Sequence, residues 1–306
     1  MTIREFLHIV EIRTKVVSVS GFAIGAAYAW YRFGPPDPVA LAVMFSAVLA
    51  VDMATTGFNT FFDFFFGVDR RTTNREQDKV LVHQGVAAGP ALLVSLSLYA
   101  VAAVLGIVLA VRVTPWVIPI GAVGMLVGFL YNAGPRPISS TPLGELFAGG
   151  FLGWVLVVLT IFVLSDGRMR ATDLLAGVPS FLFVASILTV NNTCDIDGDR
   201  HAGRQTLSIV LGRPAGEALV YLFGGLAFAS AVALAASGIW PRIVSAGVLL
   251  AALIAVPQYY RMHLRGFSHD TKGPSMGAIA RIFRWYSLGV TVPLLIAAAG
   301  WLPGLL

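Results

Sequence analysis

The sequence predicts an all-α fold: a polytopic membrane protein whose nine transmembrane helices form a bundle with an internal repeat and a cytoplasmic cap. Three observations carry this. Of 306 residues, 57% are hydrophobic and 12% charged, whereas a soluble domain carries about 25% charged residues. The mean hydropathy is +0.80. Apolar runs of about 20 residues, the length that crosses hydrocarbon, recur from end to end.

In chain order, "MTIREFLHIVEIRTK" mixes charges with apolar residues at helical spacing. It predicts an interfacial helix over about 2–14 rather than a secretory leader. Spans follow at roughly 16–31, 39–62, 86–111, 115–132, 144–164, 173–193, 215–237, 242–260 and 279–300. Connections after spans 2, 4, 6 and 8 are long or charged, and those after 1, 3, 5 and 7 are short. The N-terminus and the even connections hold 14 Lys and Arg, Arg281 and Arg284 bring that side to 16, and the other side has five. The positive-inside rule then places the N-terminus and even loops in the cytoplasm and the C-terminus outside. This asymmetry accounts for the net charge of +5 without a nucleic-acid partner. The single cysteine, Cys194, excludes an intramolecular disulfide. The chain reads as one domain over 1–306 with repeat halves at about 39–164 and 173–300, and its oligomeric state is left open.

The repeat rests on "NTFFD" (Asn59 to Asp63) and "NNTCD" (Asn191 to Asp195), which share Asn-x-x-x-Asp at a 132-residue offset. Both copies fall at the cytoplasmic end of a span, and repeated halves often enclose one central site. The four-residue step puts Asn59 and Asp63 on one helix face, and Asn191, Asp195 and Asp199 repeat it. Asp69 follows in the first loop, and Asp197 lies between the last two acids as a bystander turned toward water. Carboxylate and amide oxygens are hard ligands that suit Mg²⁺ bridging to phosphates, and the Cys and His of a zinc site are missing. One such cluster alone fits a solvated acidic helix end; two matching clusters in so uncharged a chain favour a metal–phosphate site. Lys79, Arg136 and Arg204 lie in the same connections, where each fits either a diphosphate contact or plain topology. Arg70 and Arg71 fit topology better.

Asp52 lies inside span 2. With Thr56, Asn59 and Asp63 it steps by 4, 3 and 4 residues, drawing one polar stripe, about 16 Å long at 1.5 Å per residue. An ionisable residue at that depth is a functional candidate; a structural hydrogen bond to a neighbouring helix is the plain alternative. Tyr131, in "YNAGPRP", points into a cavity or anchors at the interface. His83, His201 and His269 read as solvated loop histidines, and Cys194 has no paired His to make it a nucleophile. "FFDFFF" supplies an apolar wall beside the proposed metal site.

These residues resemble the UbiA superfamily of intramembrane prenyltransferases, marked by two Asp-rich motifs on cytoplasmic loops after helices 2 and 6. Within it, "NTFFDFFFGVD", "DKVLVHQG", "YNAGPRPISSTPLGELFAG" and "NNTCDIDGDRHAGRQTLSIVLGR" look most like the 1,4-dihydroxy-2-naphthoate (menaquinone-pathway) branch. "EIRTKVVSVSGFAIGAAYA" is similar to the first helix of some bacterial members, which points to a bacterial cell membrane. The resemblance implies that Asn59, Asp63, Asp69, Asn191, Asp195 and Asp199 hold Mg²⁺ on the diphosphate of an isoprenyl donor. It puts Lys79 and Arg136 around that diphosphate, with Arg204 beside them. Two departures stand out. Asn59-Thr60 replaces the Asn-Asp that many members carry, removing one carboxylate, and "GRQTL" replaces Gly-Lys-x-Thr while Arg204 keeps the charge.

The implied activity is Mg²⁺-dependent transfer of an isoprenyl group to an aromatic acceptor inside the membrane, with loss of the acceptor's carboxyl as CO₂. Asp63 and Asp195 are the expected catalytic acids, with Asp52 and Tyr131 as further candidates. Two rivals stay open: a terpene cyclase using the same metal site, and a transporter, since repeats and buried acids occur there too.

Overall fold

The computed structural model describes residues 1–68, 80–83 and 87–300. In order the elements are α1 (Ile3–Ile9), a 3₁₀ turn (Ile12–Lys15), α2 (Val16–Phe33), α3 (Pro38–Phe65), α4 (Val80–His83), α5 (Ala88–Arg112) and α6 (Val117–Asn132). A 3₁₀ turn (Ile138–Ser140) leads into α7 (Gly144–Ala148), a π-helical stretch (Gly149–Val155) and α8 (Leu156–Leu164), which run on as one rod. Then come a 3₁₀ segment (Ala171–Gly177), α9 (Val178–Cys194), α10 (Ile196–His201), α11 (Leu207–Leu211), α12 (Arg213–Ala236), α13 (Ile243–Arg265), a 3₁₀ turn (His269–Thr271) and α14 (Lys272–Ala298). No strand occurs among the described residues.

Seven of these helical rods are long and apolar enough to cross a membrane, against the nine spans predicted. The other two exist as helices with marginal credentials. The 16 residues of α6 reach about 24 Å, short of the ~30 Å hydrocarbon. The 18-residue α2 ends on Tyr28, Trp30, Tyr31 and Arg32, an interfacial rather than an apolar sequence.

Three boundaries also move. The runs predicted at 242–260 and 279–300 lengthen to Ile243–Arg265 and Lys272–Ala298, so Arg261, Arg265 and Lys272 belong to helices. Long basic side chains permit this, because they carry charge outward from an apolar stem. At the N-terminus, the helix predicted over 2–14 stops at Ile9, since Glu11 adopts a left-handed φ of 46°. Ile9 and Val10 are fully buried with Leu81 and Ala91 and pack on Met53 and Phe61.

Packing runs in long pairs: α3 along α5, α9 along α12, α13 along α14. Between them lies α2, touching α14 and α8. Its Ile24, Ala27 and Tyr28 join one apolar core with α9 and α12 to α14. Its Phe22 and Ala29 join a second core with α3, α5 and α8. The π-helical stretch brings Gly149 and Gly153 against the backbone of α9. A Cβ on Gly153 would stand 2.6 Å from the Ser180 carbonyl, and one on Gly149 2.7 Å from that of Phe181. Only hydrogen fits there, the small-residue contact that lets membrane helices approach closely.

Candidate active site

The last turns of α3 carry the first acidic motif. Asn59 donates to the Asp63 carboxylate at 2.9 Å and to the Asn132 side-chain oxygen at 3.2 Å. The buried Asn132 donates onward to the carbonyls of Thr55 and Gly128. The row Thr55–Asn59–Asp63 therefore faces α6. Thr56 and Thr60 lie on a second row and bond the Val10 and Ile9 carbonyls, each at 3.1 Å. The single stripe predicted through Asp52, Thr56, Asn59 and Asp63 is thus two rows, because the N-terminal segment occupies one of them.

The second motif caps α9. Asp195 is gripped by the Lys272 ammonium at 2.7 Å and lies 3.1 Å from His269 Nδ1. His269, expected to be a solvated loop residue, is in the acid cluster because α14 begins three residues later. Asp199, one turn on, pairs with Arg204 at 3.0 Å. Arg204 donates also to the Ser139 carbonyl at 2.8 Å, and the Gln205 amide donates to Ser140. These bonds tie the loop after α10 to the turn before α7. Asp197 is 76% exposed, as expected, and pairs with Arg213.

Arg204 is where the motifs meet. Burial works against its charge, yet Asp199 and Asp63 outweigh that and hold it above the ordinary arginine value. Asp199 is pushed above the usual carboxylate range by burial, which its pairing with Arg204 only partly offsets. Tyr131 feels Glu145, Arg204 and Asp63. Among these neighbours, Tyr131 Oη, Glu145 Oε2, Asp199 Oδ2 and Arg204 Nε are buried without a hydrogen-bond partner. Buried polar atoms rarely stay unpaired, so four together call for a polar occupant. Among the described residues no three His, Cys, Asp or Glu side chains already converge as a metal cage, because Lys272, His269 and Arg204 occupy the second-motif acids. The oxygen donors Asp63, Asn59, Asn191, Asp195 and Asp199 nonetheless suit Mg²⁺ that arrives on phosphate oxygens, and the unpaired Asp199 Oδ2 fits that role.

Beneath the cluster lies a cavity of about 420 Å³ between α3, α5, α6 and the α7–α8 rod. Asp52, Thr55 and Tyr131 are the polar residues of its otherwise apolar lining, and Tyr131 keeps its hydroxyl buried. Asp52 also makes the structural bonds foreseen as its alternative, to Lys15 and Ser18. Of the stretch expected to give an apolar wall, Phe62 packs on Phe58 and Phe129 at 6.4 and 5.8 Å, whereas Phe64, Phe65 and Phe66 are exposed. Arg136 is exposed in the turn after α6, and Asn191 is half-buried on the last turn of α9. Asp69 and Lys79 lie outside the described residues. Sequence reasoning passed over Glu145, Asn132, Asn192, Lys272 and Lys15 as site residues. Glu145 is 2% exposed and accepts from Asn192 at 2.8 Å; a lone acid opening an apolar run was the available signal.

The chain is similar to known proteins in sequence and in fold. Over 198 residues, covering 65% of this chain and 63% of the relative, it is 33% identical to a Bacillus subtilis 1,4-dihydroxy-2-naphthoate octaprenyltransferase. It is 30% identical over 199 residues to the human UbiA prenyltransferase domain-containing protein 1, covering 64% of this chain and 57% of that one. The matched segment thus spans about three-fifths of each relative's length. In fold, a UbiA homologue from Aeropyrum pernix superposes with a TM-score of 0.69 at 19% identity, covering 89% of this chain and 96% of that one. A homologue from Archaeoglobus fulgidus, bound to DMAPP and Mg²⁺, gives 0.64 at 14% identity over 94% and 99%. The model of the UbiA prenyltransferase family matches residues 19–288, and the chain belongs to that family.

Proposed function

We propose that this protein transfers an isoprenyl group from an allylic prenyl diphosphate to an aromatic acceptor within the membrane. The acceptor we assign is 1,4-dihydroxy-2-naphthoate, which loses its carboxyl as CO₂, a step of menaquinone synthesis. The observation that carries the reading is that Arg204, paired with Asp199 after the second motif, also feels Asp63 of the first and Tyr131 on the wall of an apolar cavity. The names of the Bacillus relative and of a Mycobacterium tuberculosis 1,4-dihydroxy-2-naphthoate octaprenyltransferase, 30% identical over 175 residues, support the acceptor.

Mg²⁺ on the diphosphate, held by Asn59, Asp63, Asn191, Asp195 and Asp199 with Asp69, would neutralise charge on the leaving group. Arg204 and Lys272, with Lys79 and Arg136 from the loops, add fixed positive charge to the same oxygens. The C–O bond breaks with both electrons going to the diphosphate. The apolar walls below keep water from the allylic cation. The acceptor ring then forms the carbon–carbon bond, and the carboxyl leaves as CO₂ as aromaticity returns. Asp63 and Asp195 are the acids assigned to the chemistry, with Tyr131 and Asp52 at the cavity wall. The nine-span, two-half arrangement in the membrane belongs to this reading, with the cap, N-terminus and acidic loops cytoplasmic and the C-terminus outside, in a bacterial cell membrane.

The test pairs the purified protein with several prenyl diphosphates and with naphthoate and benzoate acceptors, read by product mass. Prenylated, decarboxylated naphthoate is expected, and EDTA, Asp63→Ala or Asp195→Ala should abolish it while the protein still elutes as a folded species. Hydrocarbon formed from donor alone, or turnover persisting in EDTA, would sink the proposal.

A further inference from the structure

Asp52, the acid of the ion pair beside the cavity, lies on α3 about 16 Å along the helix from Asp63. Lys15 is 3% exposed, at the junction of the first 3₁₀ turn and α2. Its ammonium meets Asp52 Oδ1 at 3.0 Å, Thr56 Oγ1 at 2.7 Å and the Asp52 carbonyl at 3.3 Å, which uses all three of its protons. The Ser18 hydroxyl donates to Asp52 Oδ2 at 2.6 Å. The carboxylate is therefore fixed on two sides by the N-terminal segment while it still lines the cavity. A buried pair of this kind is weak evidence for stability, since apolar replacements often serve as well, and an ionisable residue in a span is by default functional.

The other polar points of the cavity differ in availability. Thr55 is committed to the Val51 carbonyl and lies 3.3 Å from the Tyr99 hydroxyl. The Tyr131 hydroxyl is buried without a partner. Thr55 and Gly128 are level, since a Cβ on Gly128 would lie 2.9 Å from Thr55 Oγ1. Asp52 is three residues to one side of that level and Tyr131 three to the other, an axial separation of about 9 Å at 1.5 Å per residue. The Tyr131 hydroxyl has no accessible surface toward the cavity, so the available polar group is the acceptor at Asp52.

We propose that Lys15 and Ser18 position Asp52 to accept a hydrogen bond from a ring hydroxyl of a dihydroxyarene in the cavity. Asp52 thereby selects a hydroxylated aromatic co-substrate and leaves the apolar remainder of the lining to a prenyl tail. The proposal rests on the prenyl-transfer reading for its ligand, and the test separates the two.

Asp52→Asn and the double variant Lys15→Met with Asp52→Leu are compared with wild type; the double variant removes both charges together and so avoids an unpaired buried lysine. Binding of dihydroxynaphthoate and of its mono-O-methyl ethers is measured without donor, by fluorescence titration in detergent. KM for acceptor and for donor are then measured separately. Wild type should bind the dihydroxy compound at least tenfold tighter than one of the ethers, and both variants should lose that preference. Acceptor KM should rise at least tenfold while donor KM stays within about twofold. Unchanged acceptor binding in the folded variants, or equal loss of donor and acceptor parameters, overturns the assignment. Tight, hydroxyl-dependent binding with no transfer would instead overturn the prenyl-transfer reading and leave this site standing.

Discussion

Arg204 shows how much one side chain carries here. It bonds Asp199 and the Ser139 carbonyl and feels Asp63 across the site. Arg204→Met would strand Asp199 in a buried position, and breaking such a pair costs about 3–5 kcal/mol. We expect a lowered melting midpoint in detergent and loss of diphosphate binding, with Arg204→Lys recovering the first more than the second, because lysine lacks the planar fork. Glu145 offers a gentler contrast. Glu145→Gln keeps an acceptor for Asn192, while Glu145→Leu leaves that amide unpaired at about 1–3 kcal/mol, so only the leucine variant should melt clearly lower. At this scale the sequence is legible where a motif is local: Asp63, Asp195 and Asp199 declare themselves by spacing. Glu145 and Asn132 do not, because the partners that define them lie 47 and 73 residues away. Lys15 reads as one more cytoplasmic charge until the fold puts Asp52 against it.

Among the elements, apolar periodicity locates the rods and misjudges their ends. Arg261, Arg265 and Lys272 look like loop residues, and helices with long basic side chains hold them without cost. The break at Glu11 follows from a backbone conformation that composition does not signal. Nor does the π-helical stretch Gly149–Val155 announce itself, although its two glycines meet the α9 backbone. That contact gives a sharp expectation. Gly153→Leu has no space to fill and should push the α7–α8 rod off α9, shifting the Asn192–Glu145 bond with it. Loss of monodisperse elution, or a melting midpoint lower by many degrees, is the predicted readout, and Gly150→Ala, which meets open space, is the control.

For the whole molecule, the two-motif pattern anticipates convergence, while the cavity and its asymmetric walls emerge only from packing. Those walls come from α3, α5, α6 and the α7–α8 rod. Asp195, His269, Lys272 and Arg204 come from the chain after α9. A ligand with an anionic head and a greasy tail must therefore touch both parts of the bundle at once. It would act as a staple, so cohesion between the two parts becomes a function of ligand concentration. Mass action sets the scale at about 2.7 kcal/mol for a ligand at 100 times its Kd. A long-chain prenyl diphosphate with Mg²⁺ should raise the thermal transition more than inorganic diphosphate with Mg²⁺ at equal concentration, because the tail adds affinity. An equal rise at equal concentration would mean that the head group alone knits the bundle together.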